Sequence, residues 1–312
     1  MQRMAKSISL VEKERAVRRI QTISLKSIHD FFFEEGFEQL LPIILSPITD
    51  PLGPDPSSSV IKTGEIEYQG QKLQLTQSMI LHKQIAIGMG IDKLFIISPN
   101  VRLEEARKQE TGIHAFEFSQ VDFEIKEATM EEIFELMEKL LNQIILKVKQ
   151  MAKEELKILE RELSQFITPF PRYTSHELEN KYGSEWEKLA SEEAKSPFFV
   201  TCHKREFYDK LDRSIEGEHY LNYDLYYPEG FLEALSGAIR EHEYEHIRSR
   251  IEKDGLNIKT YEKFLERAKN GKIHSSAGGG FGVERLVRFL TGVDHISEVQ
   301  VFERIPGRKV EV

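Results

Sequence analysis

Apolar residues recur at helical spacing from about Val11 to Glu35, and the run stops at Gly36, so one long amphipathic helix is predicted there. A short apolar run follows, Leu40 to Leu45, and Pro42 inside it marks an edge strand or a bulge. Next comes SPITDPLGPDPSSS, the longest cluster of Pro, Gly, Ser and Asp in the chain, which reads as a surface loop placed to act as a lid. A helix is expected from about Ser78 to Met89, and strands at 93–98, 101–105 and 115–126. Residues 129–165 are charged and strongly helical, and the stretch to about 195 reads as a small helical insertion. Strands return at 197–203, 218–227 and 231–236, and helices at 240–253 and 259–270. The chain closes with a strand, a glycine run and a helix over 274–291. Successive strands with helices around them indicate an α+β class rather than alternating βαβ units.

Composition changes this picture little. The 312 residues suffice for one large domain or two modest ones, and 40% hydrophobic with 30% charged residues is ordinary for a soluble globular protein. A formal net charge of −9 weighs against a broad nucleic-acid-binding face, although a local basic patch is compatible with it. The single cysteine, Cys202, excludes an intrachain disulfide and a thiolate metal site, and its setting in PFFVTCH reads as a strand residue. The N-terminal residues carry no apolar run of the signal-peptide kind, and no stretch approaches membrane-spanning length. A soluble, cytoplasmic protein with no membrane partner is expected.

Four segments carry candidate chemistry. In VRLEEARKQETGIHAFEFSQVDFEIK, Arg102 and Glu104 share one strand face by parity. On the next strand Phe116, Phe118, Gln120, Asp122 and Glu124 face one way, and Val121, Phe123 and Ile125 face the core. The loop between is basic at Arg107, Lys108 and His114, so a nucleotide base can stack on Phe118 while cations meet phosphates; a solvated hairpin is the competing reading. In HSSAGGGFGVERLVRFL, Gly278, Gly279, Gly280 and Gly282 precede an amphipathic helix with Arg285 in its first turn, where a cation is misplaced unless it meets an anion. The run is not a phosphate-binding P-loop, since no Lys-Ser/Thr pair follows. In YDLYYPEGFLEALSGAIREHEYE, Asp224 and Glu233 lie on neighbouring strands and are candidate Mg²⁺ ligands, against the bland reading of two surface acids; Arg240 is placed at a helix start. In LQLTQSMILHKQ, Lys83 stands on an apolar helix, most simply as a residue that snorkels to the surface.

Taken together, these segments resemble the catalytic domain of class II aminoacyl-tRNA synthetases, in the branch for aspartate and asparagine. The stretch ending in Pro42 looks like that family's motif 1, Arg102-x-Glu104 through Glu124 like motif 2, and GGGFGVER like motif 3. VFERIPGR, centred on Arg304, is similar to the family's closing segment, and the likeness spans roughly residues 12–308. The resemblance implies an antiparallel sheet flanked by helices, one catalytic domain over 1–312 with the helical insertion at about 127–195, and a homodimer through motif 1. It implies ATP and Mg²⁺ as cofactors. Arg102 would bridge the reacting carboxylate and the α-phosphate, with Glu104, His114, Phe118, Glu233 and Arg285 also at ATP. Asp224 and Glu233 would hold Mg²⁺. Aspartate would meet Ser78, Lys83, Gln120, Asp122, Tyr208, Ser236 and Arg240. Lysine at 83, where asparagine-specific members tend to carry glutamate, points to aspartate, since an amide would leave Lys83 and Arg240 without a counter-charge.

Three departures shape the expected reaction. Motif 1 begins almost at the first residue, with no room for the family's anticodon-binding domain, so no tRNA partner is expected. PITDPLGPDP replaces the family's Thr-x-Glu-Gly loop, and Ile80 stands where aspartate synthetases place a glutamine. These departures resemble stand-alone archaeal asparagine synthetases, which implies activation of the aspartate side-chain carboxylate and transfer to ammonia, with Asp50 and Gln120 as catalytic groups beside Arg102. The alternative is a truncated or paralogous aspartyl-tRNA synthetase that makes aspartyl-adenylate for another acceptor; a catalytically inactive regulator is the reading from a different class.

Overall fold

A computed structural model describes residues 9–52, 60–203, 206–215 and 219–311. Residues 53–59 of the expected lid loop and Glu218 of the expected strand at 218–227 lie outside the described residues. The first strands are β1 (Glu38–Gln39), β2 (Leu45–Ser46), β3 (Val60–Lys62), β4 (Glu65–Tyr68), β5 (Gln71–Leu75), β6 (Lys93–Val101) and β7 (Leu103–Glu104). They are followed by β8 (Glu117–Lys126), β9 (Arg172–Thr174), β10 (Phe198–Thr201), β11 (Asn222–Tyr227), β12 (Leu232–Ile239) and β13 (Ser276–Gly282). The helices are α1 (Leu10–Glu34), α2 (Ile80–Ile87), α3 (Met130–Met151), α4 (Lys153–Ile158), α5 (Ser175–Tyr182), α6 (Trp186–Glu193), α7 (Tyr244–Lys253), α8 (Glu262–Lys269) and α9 (Val283–Thr291).

Local chemistry sets the ends of the long helices. Ser9 and Glu12 close a capping box at the start of α1, and Thr129 and Glu132 do the same for α3, each satisfying amides that a helix start leaves unpaired. Helix α1 buries Val17, Ile20, Ile23, Ile28, Phe31 and Phe32 on one face, and Gly36, at φ +80°, follows its end. That face packs with α3 and α9 against one side of an eight-stranded sheet of order β1-β6-β8-β13-β12-β11-β10-β9. The two edge pairings, β1 with β6 and β9 with β10, are parallel and the rest antiparallel, so the expected α+β architecture is what the chain adopts. Helix α3 belongs to this central core, since Ile133, Phe134, Leu140, Leu141 and Ile144 are buried in it.

The sheet's other face is polar. On β8, Val121 and Phe123 enter the core while Asp122 and Glu124, both buried, point to the opposite side, where α2 and a second apolar cluster from α7, α8, Phe207 and Tyr208 close over them. The glycine run is itself strand β13 rather than a loop before a helix, and Gly278 and Gly280 pair with Glu124 and Asp122. Lacking side chains, these glycines leave room for the two acids: a Cβ on Gly278 would collide with the Phe123 carbonyl and Glu124, and one on Gly280 with Gln120. Gly278→Ala is therefore expected to cost about 1–3 kcal/mol from overpacking. A denaturation midpoint equal to that of the unsubstituted protein would refute this.

Some boundaries differ from expectation. Leu40–Ile44 joins no ladder, because Pro42 lacks a donor and the pairing falls to β1 and β2 on either side; Leu41 and Ile44 are exposed. The region 129–165 is not one helix: the chain breaks at Ala152, at φ −130°, and leaves helix after Ile158. Arg102 falls in the gap between β6 and β7, where its amide donates to the Phe116 carbonyl at 2.8 Å. Arg240 does not begin a helix; it ends the β12 ladder, bridges to Asp209, and α7 starts at Tyr244.

Candidate active site

A cavity of about 270 Å³ opens over the polar face of the sheet. Of the residues singled out in the sequence, it gathers Asp50, Ser78, Lys83, Arg102, Glu104, His114, Phe118, Gln120, Asp122, Tyr208, Glu233, Ser236, Arg240 and Arg285 in one wall. Asp224 is not among them. It is buried, with Oδ2 3.4 Å from His203 Nε2; its register partner is Ser236, and a bulge at Leu225/Tyr226 separates it from the position opposite Glu233.

One end of the cavity is cationic and aromatic. The Arg102 guanidinium lies 5.2 Å from the centre of the Phe118 ring, and its Nε donates to the Gln77 carbonyl at 3.1 Å. Arg285 needs no bound anion to explain its place: it lies 3.2 Å from the Glu233 carboxylate and donates to the carbonyls of Ile113 and Glu233. Burial, with the cations Arg285, Lys108 and Arg102 nearby, pushes the His114 pKa down to about 3, so His114 is neutral here, its Nδ1 2.6 Å from Thr111 Oγ1. Glu104 is raised by burial, and its Oε2 is a buried oxygen with no hydrogen-bond partner among the described residues, the arrangement that suits a donor on a bound molecule.

The other end is a buried charge cluster. Lys83 is 1% exposed, so the snorkelling reading is wrong: α2 lies face-down on the sheet and the ammonium points inward. Its Nζ stands 3.0 Å from Asp122 and 3.6 Å from Glu124, and donates to the carbonyls of Phe123 and Gly279. Arg240 lies against Glu124 at 3.1 Å and Asp209 at 3.3 Å and donates to the Gly278 carbonyl. Burial alone would lower the Arg240 pKa, but Glu124 and Asp209 more than offset it and hold the group above its ordinary value. Both cations thus have anionic partners in the protein itself, which removes the argument that an amide ligand would leave them unpaired.

Asp50 is buried between these ends, where the Tyr208 hydroxyl lies 3.0 Å from each carboxylate oxygen and the Leu52 amide donates to it. Burial raises its pKa. Gln120 is oriented by Asn100, whose Nδ2 donates to Oε1 at 2.9 Å, and Ser98 donates to Asp122. Ser78 accepts the Ile80 amide at the start of α2.

Several residues of this framework escaped the sequence reading. Glu124 faces the expected way, but its role as the common partner of Lys83 and Arg240 depends on α2 and β12 arriving from elsewhere in the chain. Asp209, Asn100 and Gln77 carried no motif. Glu284 did carry a signal, an acid beside Arg285 in a first helical turn, and in the structure its carboxylate accepts the Ser119 amide with both oxygens at 3.0 Å. Burial pushes the Glu284 pKa from 4.5 up to about 7. A carboxyl raised in this way adds stability below its unfolded value, and that contribution is lost as pH rises through the folded value. Between about pH 5 and about pH 8 the protein should lose stability relative to Glu284→Gln, which cannot ionise. Denaturation curves of the two proteins that shift in parallel over that range would refute the assignment.

An antiparallel sheet whose glycine strand runs into an arginine-bearing helix thus lies beneath the cavity, with Phe118 on the adjoining β8 and Arg102 in the gap between β6 and β7. The sequence profile of the tRNA synthetases class II (D, K and N) matches residues 4–306, and the chain belongs to that family. It is 31% identical over 308 residues to the aspartate–tRNA(Asp/Asn) ligase of Methanopyrus kandleri, covering 94% of this chain and 68% of that protein. It is 28% identical to the asparagine–tRNA ligase of Pyrococcus furiosus, covering 95% and 70%. The asparaginyl-tRNA synthetase of Pyrococcus horikoshii, solved with asparaginyl-adenylate, superposes with a TM-score of 0.84 at 25% identity, covering 96% of this chain and 70% of that one. The chain is thus a ligase of the class II synthetase type. The expectation that no tRNA partner is needed finds no support among these relatives, which are tRNA ligases. No helix among the described residues is long and apolar enough to cross a membrane.

Proposed function

We propose that this chain activates aspartate with ATP as an aspartyl-adenylate, in the manner of an aspartyl-tRNA-synthetase-like enzyme. The observation that carries the reading is that one cavity joins the Arg102–Phe118 wall and the unpartnered Glu104 oxygen to the Lys83–Arg240 cluster. The first end suits a purine nucleotide and its phosphates, and the second suits a small zwitterion with polar groups at both ends.

In the reaction, a carboxylate oxygen of aspartate attacks the α-phosphorus and pyrophosphate leaves. Arg102 stands where it can hold the two reacting anions together and offset the charge that builds on the phosphorus oxygens. The neutral His114 offers a hydrogen bond near the leaving end without adding a further positive charge. Glu233, an oxygen donor on the cavity wall, would hold Mg²⁺, and the ion when bound would supply charge neutralisation there.

Two acceptors remain in view for the adenylate. The relatives favour tRNA. A second reading, transfer to ammonia after activation of the side-chain carboxylate, draws on Asp50: a buried carboxyl of raised pKa on the same cavity, oriented by Tyr208, is suited to take a proton from ammonium. Gln120 serves that reading less well, since its side-chain oxygen already accepts from Asn100. Pyrophosphate exchange driven by aspartate and Mg-ATP is the expected result; exchange with neither aspartate nor asparagine, or with asparagine alone, would overturn the proposal. Asparagine and AMP formed from ammonium without tRNA would select the second acceptor.

A further inference from the structure

We propose that Glu284 is a positioning residue that splints the Phe118 strand to the Arg285 helix and so fixes the spacing of the nucleotide slot. This rests on the ATP reading above. The β13–β8 ladder ends where Gly282 pairs with Gln120, and the chain then turns into α9. One residue further along β8 stands Ser119, still paired on the β6 side with Pro99 but beyond the last residue of β13. The strand therefore loses its β13 partner at the residue next to Phe118, while its pairing with β6 runs on to Glu117. Glu284 takes over that role: its carboxylate, in the first turn of α9, receives the Ser119 N–H with both oxygens.

The same stretch is held from outside by the C-terminal segment. Gln300 Nε2 donates to the Glu117 carbonyl at 3.1 Å, and the Arg304 carbonyl accepts the Phe116 amide at 2.8 Å. Those two contacts fix the residues before Phe118, while the Glu284 carboxylate joins the strand to the helix that carries Arg285. Arg285 in turn reaches Ile113 and Glu233, so a displaced α9 would carry it away from the slot. The Lys83–Arg240 cluster lies further along β8, at Asp122 and Glu124, where the ladder to β13 is complete. A change at Glu284 should therefore be felt by the nucleotide and not by the amino acid.

The experiment compares KM for Mg-ATP and for aspartate, in pyrophosphate exchange, for the wild-type chain and for Glu284→Ala, Glu284→Asp and Glu284→Gln. Alanine removes the acceptor and aspartate withdraws it by one methylene, so each should raise the ATP KM about tenfold while the aspartate KM moves by less than about twofold. Glutamine keeps one acceptor oxygen and should return the ATP KM to within about threefold of wild type. Glu284→Asp keeps the charge and serves if the alanine variant does not fold. Unchanged ATP KM in the aspartate and alanine variants, or a rise in both KM values together, would overturn the splint. A wild-type chain with no ATP-dependent exchange would overturn the nucleotide reading, and the splint with it.

Discussion

Lys83→Met is expected to lower folding stability by about 3–5 kcal/mol, the cost of stripping one partner from a buried ion pair. It should also stop aspartate-dependent pyrophosphate exchange. The ammonium stands 3.0 Å from Asp122 and is 1% exposed, so solvent screens the pair little. Methionine fills about the same volume but leaves Asp122, among the described residues, with the Ser98 hydroxyl alone, and it removes the donors to the Phe123 and Gly279 carbonyls that tie α2 to β8 and β13. Glu124 is better protected, because Arg240 and Ser276 still face it. Lys83→Glu should be worse than methionine, since it sets a third carboxylate against two others. The check is a urea denaturation series with exchange assays on the soluble fraction. A methionine variant as stable as wild type and still turning over aspartate would remove Lys83 from both roles.

Arg102→Ala should behave in the opposite way, with a large loss of rate and little loss of stability. Arg102 sits in the break between β6 and β7, half-buried, against the Phe118 face and the Gln77 carbonyl. Removing a donor aimed at charge that develops during the reaction typically costs about 10²–10³ in rate. The pyrophosphate exchange rate should fall by that order with the thermal midpoint nearly unchanged. Arg102→Lys should recover little, because lysine lacks the planar fork that spans two oxyanions while stacking on a ring. Recovery of most of the rate by lysine would mean that Arg102 acts as a simple point charge.

The residues that sequence reading located best are those whose own side chain announces a conflict with its surroundings. Lysine on an apolar helix, arginine in a first helical turn and alternating acids on a strand are each improbable unless something meets them, and all but Asp224 of the site candidates line the cavity. What meets them was not legible. Lys83 is answered by Asp122 and Glu124, about forty residues away, and by the Gly279 carbonyl, 196 residues away. Arg240 looked like a cation in need of an external anion because Asp209 and Glu124 are invisible to local pattern. The aspartate-versus-asparagine argument drawn from those two cations fails for the same reason.

Local chemistry in the sequence determined the periodicities of α1 and α3, their capping boxes, the two-residue alternation of β8 and the motifs that mark the family, because each depends on residues within a turn or a strand of one another. The tertiary structure alone decided that the glycine run is a central strand, that its bare positions accommodate Asp122 and Glu124, that Asp224 meets His203, and that Glu284 replaces a missing ladder partner. Those outcomes depend on register and on which buried charges come to face one another. Register is a property of strands that meet across the sheet, and charge compensation in a dry interior is settled only when every partner is in place.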